Sequence, residues 1–426
     1  MEFPFFSGTD KKKNTELVFD VGSGSVGVAL VSFSVDKPEI LYSHREPIAY
    51  QAKPSGVRLN KSAEVAVGVS AERVKKDGFP HLNFSGLAKN PPKTAHIILS
   101  APWHFSHFSQ IKLRREKNFR VTKDLVSSLI ADAKSGAGRE SFGESNDKTR
   151  LVPIEEKILS FSLNGYETNN PFGKEALALQ ALVFWSYAPE FLVQGFQKAI
   201  LNSLHVNEVI FHSFSLLASL TVRNVKKPLG DFVFADVGAE ITELVFVKSG
   251  VPSASASFPL GSNSLFRSIM RKEKGAGYFA VSGILRLMRE GKYDSRRTAE
   301  IAVSIDEVSY EWGKEFKLTY ESLTSGGLYA GGPVYLIADE DVLSVFTSFV
   351  RTQFLKSDEK VFESSKKISE LSETVVPIKD IDFDSLLALR RTAERDSFLE
   401  MEAIFLSITK GAHSIFEKLS VFQKGR

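Results

Sequence analysis

Two stretches of this 426-residue chain share one form, and together they limit the folds open to it. The first, "ELVFDVGSGSVGVALVSF", runs from Glu16 to Phe33: an apolar run broken by Asp20 and three glycines, then a second apolar run. Val18, Phe19, Val26, Val28, Leu30 and Val31 are β-branched or bulky residues suited to paired strands. Gly22 and Gly24 at the tip allow positive φ and close approach of backbone to a ligand. Backbone N–H groups in such a turn form a concave anion site, and Ser23 and Ser25 add hydroxyl donors. An acid beside that site makes chemical sense when a metal ion sits between it and phosphate. One such hairpin also reads as an ordinary glycine turn with a solvated aspartate. The second copy changes that. "DFVFADVGAEITELVFVKSGVP", Asp231 to Pro252, repeats strand, Asp236, Val237, Gly238, short turn with Thr242, and strand. Two such hairpins, about 215 residues apart, imply a duplicated architecture with two phosphate loops facing one cleft.

The rest of the composition excludes more than it selects. A length of 426 residues leaves room for at least two domains. The formal net charge of +3 gives no ground for a nucleic-acid partner. Without cysteine the chain forms neither disulfides nor thiolate metal sites. No segment approaches the ~20 apolar residues of a membrane span. "MEFPFF" precedes "KKK", the reverse of a signal peptide, so the expected location is cytoplasmic.

The paired hairpins resemble those of the actin/Hsp70/sugar-kinase ATPase superfamily, in which two such loops clasp the phosphates of ATP and their aspartates hold Mg²⁺ and the attacking water. The resemblance implies an α/β fold of two duplicated RNase H-like domains around a nucleotide cleft. Asp20, Gly22, Ser23, Gly24 and Ser25 would form the first loop; Asp236, Gly238 and Thr242 belong to the second, with Mg²⁺ held through Asp20 and Asp236. The stretch from "KTAHIILSAPWHFSHFSQ" to "GKEALALQALVFWS", with a turn at Asn164–Gly165, looks like the inserted SHS2-like subdomain of the bacterial division protein FtsA and the pilus scaffold PilM. "HVNEVIFHSFSLLASL" and "SASFPLGSNSLFRSI" match the segments flanking the second loop in both proteins, with Gly261–Ser262 where a Gly-Gly pair is usual. On this resemblance residues 15–94 and 191–228 form the first domain and 95–190 the insert. Residues 229–385 form the second domain, with a helical lobe at about 265–325; 386–410 is a closing helix and 411–426 a tail. Pro171–Gly173 leans toward FtsA.

Departures from the family pattern fall at the loops. Gly27 stands where FtsA and PilM commonly have lysine, and Ala239 and Glu240 replace two second-loop glycines. A carboxylate about 4 Å from a phosphate is repelled by about 1 kcal/mol in water and roughly 4 at an effective dielectric near 20. The adenine side has two registers. One puts Gly331 and Gly332 on the nucleotide. The other, adopted here because a strand must precede the turn and a helix follow it, puts Ala338 and Asp339 there, with Glu340 and Asp341 beside them. These acids also suit a helix N-terminus. ATP binding is therefore expected to be weak, structural or absent, and the chain at most a weak ATPase.

Ile415, Phe416, Leu419 and Phe422 lie on one helical face beside Lys418, Lys424 and Arg426. That face reads either as a peripheral membrane-binding tail or as a last helix packed on the first domain. His104, His107, His205 and His212 show no ligand spacing and read as structural or surface residues. The function adopted from the resemblance is an FtsA-like adaptor: it self-associates into actin-like filaments and links the tail of a division tubulin to the cytoplasmic face of the membrane. The alternative is a PilM-like scaffold that takes a short peptide from a pilus or secretion membrane protein; a superfamily kinase or hydrolase ranks third.

Overall fold

A computed structural model describes residues 14–33, 37–87, 90–140, 149–228, 230–273, 275–324, 332–357 and 374–411. Ile415, Phe416, Leu419 and Phe422, and with them the tail, lie outside the described residues, as does Gly331. In chain order the first sheet is built from β1 (Asn14–Val21), β2 (Ser25–Phe33), β3 (Glu39–Pro47) and β4 (Thr94–Leu99), with α1 (Gly56–Arg73) and the short α2 (Pro80–Phe84) between the last two. The insert follows: β5 (Phe105–Arg120), α3 (Lys123–Glu140), β6 (Leu151–Leu163), β7 (Tyr166–Glu167) and β8 (Glu175–Pro189). Then α4 (Glu190–Ser203), β9 (Glu208–Ser213) and α5 (Phe214–Lys226) lead into the second half. That half holds β10 (Phe232–Val237), β11 (Thr242–Lys248), β12 (Val251–Phe258), α6 (Ser262–Lys272), α7 (Tyr278–Arg289), α8 (Ser295–Thr324), β13 (Val334–Ala338), α9 (Glu340–Ser357) and β14 (Val375–Pro377). Last come β15 (Ala388–Leu389) and α10 (Ser397–Gly411).

The two halves repeat one sheet plan. In the first the strand order is β15-β3-β2-β1-β4-β9, with β1 antiparallel to β2 and parallel to β4. In the second it is β12-β11-β10-β13-β14, with β10 antiparallel to β11 and parallel to β13. β1 and β10 are buried almost throughout, as strands covered on both faces must be. One core lies between the sheets: Val18, Ala29 and Val31 face Phe232, Phe234 and Val245 across Leu217 and Leu220 of α5 and Leu399 and Ile404 of α10. α1 and α4 cover the outer face of the first sheet. On the second, α8 and α9 pack around Trp312, which is fully buried among Phe258, Phe316 and Phe346.

The insert is a separate antiparallel sheet, β5-β8-β6-β7, with α3 on one face over Ile158, Phe161, Leu179 and Trp185. β8 alternates buried and partly exposed residues from Leu179 to Val183, as one-sided packing requires, whereas β6 buries Glu155, Ile158, Phe161 and Leu163 around two breaks in its register. β5 is an edge strand, and its register breaks between Arg114 and Phe119.

Candidate functional site

Both hairpin tips arrive at one place. The parallel pairing of β10 with β13 sets Val237 opposite Ala338, so Asp236, Gly238, Ala338 and Asp339 share one end of the second sheet. Gly332 belongs to the other end, where a Cβ on it would strike the Asp231 carbonyl at the start of β10. The adenine-side alternative at Gly332 is thus remote from the loops.

The tips touch each other directly. The Glu240 N–H donates to Ser23 Oγ at 3.0 Å. A Cβ built on Gly24 would lie 2.7 Å from the Ala239 Cβ, and one on Gly238 3.2 Å from Ser23 Oγ. An oxyanion between the tips needs a hydrogen-bond distance of about 2.9 Å on each side; the tips are one such distance apart. The first loop is also tied down behind: Gly22 N–H bonds the Ser25 carbonyl, and the Gly22 carbonyl accepts the Trp103 indole N–H at 3.0 Å. Thr242 is not brought to the cleft. Its hydroxyl donates to the Leu260 carbonyl at 2.7 Å and accepts the Trp312 indole N–H at 3.0 Å, deep in the second core.

Glu240 turns aside. Its carboxylate takes Arg267 Nη2 at 2.6 Å and Asn263 Nδ2 at 2.7 Å, both from α6. Arg267 also reaches the Gln51 carbonyl of the first half at 3.4 Å, and Tyr278 lies 5.1 Å from Tyr50 and 4.5 Å from Phe266, ring centroid to ring centroid. The helical lobe therefore closes over the mouth of the cleft. Asp341 is taken by the Ser282 hydroxyl.

The cation at the first loop comes from a residue the hairpin motif does not contain. Arg45, on β3, lies opposite Gly27 in the strand register. Its Nη1 donates to Ser25 Oγ at 2.9 Å, and Nη2 to Asp20 Oδ2 at 2.8 Å. Nε and Nη2 together grip both oxygens of Asp396, at 2.7 and 2.9 Å. The guanidinium carbon sits 5.2 Å above the Phe398 ring. A Cβ at Gly27 would be 2.8 Å from Nη2, so the missing side chain is what admits the arginine.

Acids outnumber this cation. Asp20 is pushed up to about 6, chiefly by burial and against the pull of Arg45, with Asp396 adding to the rise. Asp236 is pushed well above the usual carboxylate range by burial, then by Glu243 and Asp20. Asp339 rises for the same first reason. Glu402 of α10 is fully buried, and as a carboxylate neither oxygen has a partner. Burial, then the charges of Asp20 and Asp396, raise its pKa well above the usual carboxylate range. Behind Asp236, Glu243 lies 3.5 Å from His104 Nε2. One Asp20 oxygen and one Asp236 oxygen have no hydrogen-bond partner, a lack that either a cation or a proton makes good. Among the described residues no three His, Asp or Glu side chains form a metal-ligand set. The residues present thus do not fit Mg–ATP in this arrangement: the phosphate space is closed, Asp20 is already paired, and Thr242 faces elsewhere.

Arg45, Asp396, Glu402 and Arg267 had no signal in the hairpin motifs. The histidines divide as well: His212 joins a buried polar chain in which His96 bonds Glu16 at 2.9 Å and His212 at 3.0 Å, with Glu155 of the insert 3.7 Å beyond and Lys410 on Glu16.

No protein-family profile matches the chain, and no curated protein matches it. Among solved structures it is similar to the "PilM-PilN type IV pilus biogenesis complex", with a TM-score of 0.58 at 16% identity over 93% of this chain and 98% of that one. The ethanolamine utilization protein EutJ from Carboxydothermus hydrogenoformans follows at 0.40 and 9% identity, over 92% and 89%. A Bacteroides thetaiotaomicron protein with actin-like ATPase fold gives 0.32 and 10%, over 93% and 97%. The last two scores are too low to argue from. At 16% identity the first speaks of fold: the chain has the actin-like ATPase fold.

Proposed function

We propose that this protein is a PilM-like scaffold at the cytoplasmic face of a membrane, serving a type IV pilus or related secretion platform by holding a short extended peptide of a membrane-protein partner. The observation that carries this reading is the span of the likeness, 93% of this chain and 98% of the pilus protein, which leaves almost no part of either chain unmatched. It favours the pilus alternative over the division-adaptor reading adopted from the sequence. The insert supports the partner class: β5 is an edge strand, and the backbone groups on its outer side suit an added strand. No helix among the described residues is long and apolar enough to cross a membrane.

Fluorescence anisotropy tests this with two sets of labelled peptides. One holds the cytoplasmic segments of the membrane proteins encoded beside this chain; the other is the C-terminal tail of the division tubulin from the same organism. Saturable binding of one of the former, weakened by a proline placed at Leu113 on β5, is the expected result. Binding of the tubulin tail alone overturns the proposal in favour of the adaptor.

A further inference from the structure

The first loop of this fold normally faces a cation held by phosphate. Here the cation is part of the chain: Arg45 takes Asp20 Oδ2 and Ser25 Oγ, and Ser23 Oγ takes the Glu240 N–H. We infer that Arg45 is the resident counter-ion of the first loop, standing in for a phosphate-bound metal ion, and that it holds the cleft closed without nucleotide.

Three independent contacts carry this. First, the guanidinium joins Ser25 and Asp20 of the first hairpin to Asp396 at the start of α10, so it ties the loop to the closing helix. A guanidinium matches this set because its planar fork offers five donors and stays charged at any ordinary pH. Second, Gly27 is the only residue type that leaves the space open, since even a methyl group would come within 2.8 Å of Nη2. The open space at Gly27 thus lets a positive charge from the neighbouring strand point at Asp20. Third, the second loop closes by its own means. Ser23 takes the Glu240 N–H, while Arg267 and Asn263 hold the Glu240 carboxylate away from the tips. A nucleotide would have to break the Ser23 contact and displace Arg45 from Asp20, and would then face Asp339 and Asp236 as buried acids. The inference does not depend on which peptide the insert holds.

The test is thermal unfolding of the full chain with no ligand, with Mg²⁺ alone, with Mg–ATP and with ATP plus chelator, all at millimolar ligand. The wild-type midpoint is expected to stay within about 1 °C throughout, because a ligand that does not bind the native state cannot stabilise it. Arg45→Gln shortens the side chain, keeps a polar end and removes the charge; its midpoint is expected to fall by several degrees, and Mg²⁺ alone to restore part of the loss. Asp396→Asn, which loosens the clamp while keeping Arg45, serves if Arg45→Gln does not fold, and is expected to lower the midpoint likewise. A wild type stabilised by Mg–ATP by several degrees, with the effect lost in Asp20→Ala, overturns the inference. So does an Arg45→Gln chain as stable as wild type. Either result leaves the peptide assay untouched.

Discussion

Gly27→Ala adds one methyl group, and the structure fixes the sign of its effect. In a strand with ordinary φ, replacing glycine by alanine stabilises by about 0.4–1 kcal/mol through the unfolded chain. Here the new Cβ falls 2.8 Å from Arg45 Nη2 and 3.1 Å from its Cζ, so the guanidinium must withdraw. The cost is worked in two steps. Asp20 sits at about 6, so giving it a proton at pH 7 costs about 1.4 kcal/mol, one pH unit's worth. Pulling the arginine off the neutral acid and off Ser25 then loses two hydrogen bonds at about 0.5–1.5 kcal/mol each. Set against the gain in the unfolded state, the net loss is about 1.4–4 kcal/mol, a fall of roughly 2–4 °C in melting midpoint for a chain of this size. Differential scanning calorimetry at pH 7 reads it. At pH 5 Asp20 already carries its proton, so the first step vanishes and the gap narrows by about 1.4 kcal/mol. A variant as stable as wild type, or more so, refutes the placement of Arg45, and a gap that is the same at both pH values refutes the role of Asp20.

The pKa of Glu402 is raised in the fold by burial, so its contribution to stability is full below the unfolded value and is lost as pH rises toward the folded one. Relative to wild type, Glu402→Gln is expected to gain about 1.4 kcal/mol for each pH unit from about 4.5 up to the folded value, and to gain nothing further above it; a pH-independent difference in denaturant titrations counts against it. His96 is lowered to about 4, mainly by burial and with His212 adding to the fall, against the pull of Glu16. Stability should therefore be full above about 6.5 and decline by up to about 3 kcal/mol as pH falls toward 4. A proton-NMR midpoint for His96 above 6 would sink that account. Gly261→Ala is expected to cost at least the 1–3 kcal/mol of an overpacked core, because its Cβ would meet the Gly238 carbonyl at 2.3 Å and the Ala239 carbonyl at 2.5 Å, both backbone. Unchanged stability in urea would show that the second loop can shift freely.

The strands around both loops were readable because their signal is local: an apolar run, an acid and glycines within a dozen residues. The strand "PVYLIA" followed by a helix was readable for the same reason, and it put Asp339 at the loop end of the second sheet. Arg45 was not. Its partners lie 25 and 351 positions away, and nothing in "LYSHREPIAY" marks one arginine as bound for the cleft. Glu240 looked aimed at phosphate because the reading stopped at the loop; Arg267, 27 positions on, decides where the carboxylate goes. Thr242 fitted the motif in type and spacing, yet the indole of Trp312, 70 positions later, claims its hydroxyl. His212 read as a plain structural residue, and its tie to His96 spans 116 positions.

The first sheet is finished by residues about 350 positions further along the chain. β15 pairs with β3, the Ser43 hydroxyl bonds the Glu394 carbonyl 351 positions later, and α10 covers β1 and β2. At about 5–20 residues per second on a ribosome, β3 waits roughly 20–70 s for its final partners. For that time the N-terminal half carries an open apolar face and a buried-type arginine without Asp396. It cannot mature as a separate unit, and the insert, complete within residues 105–189, is the part able to order first.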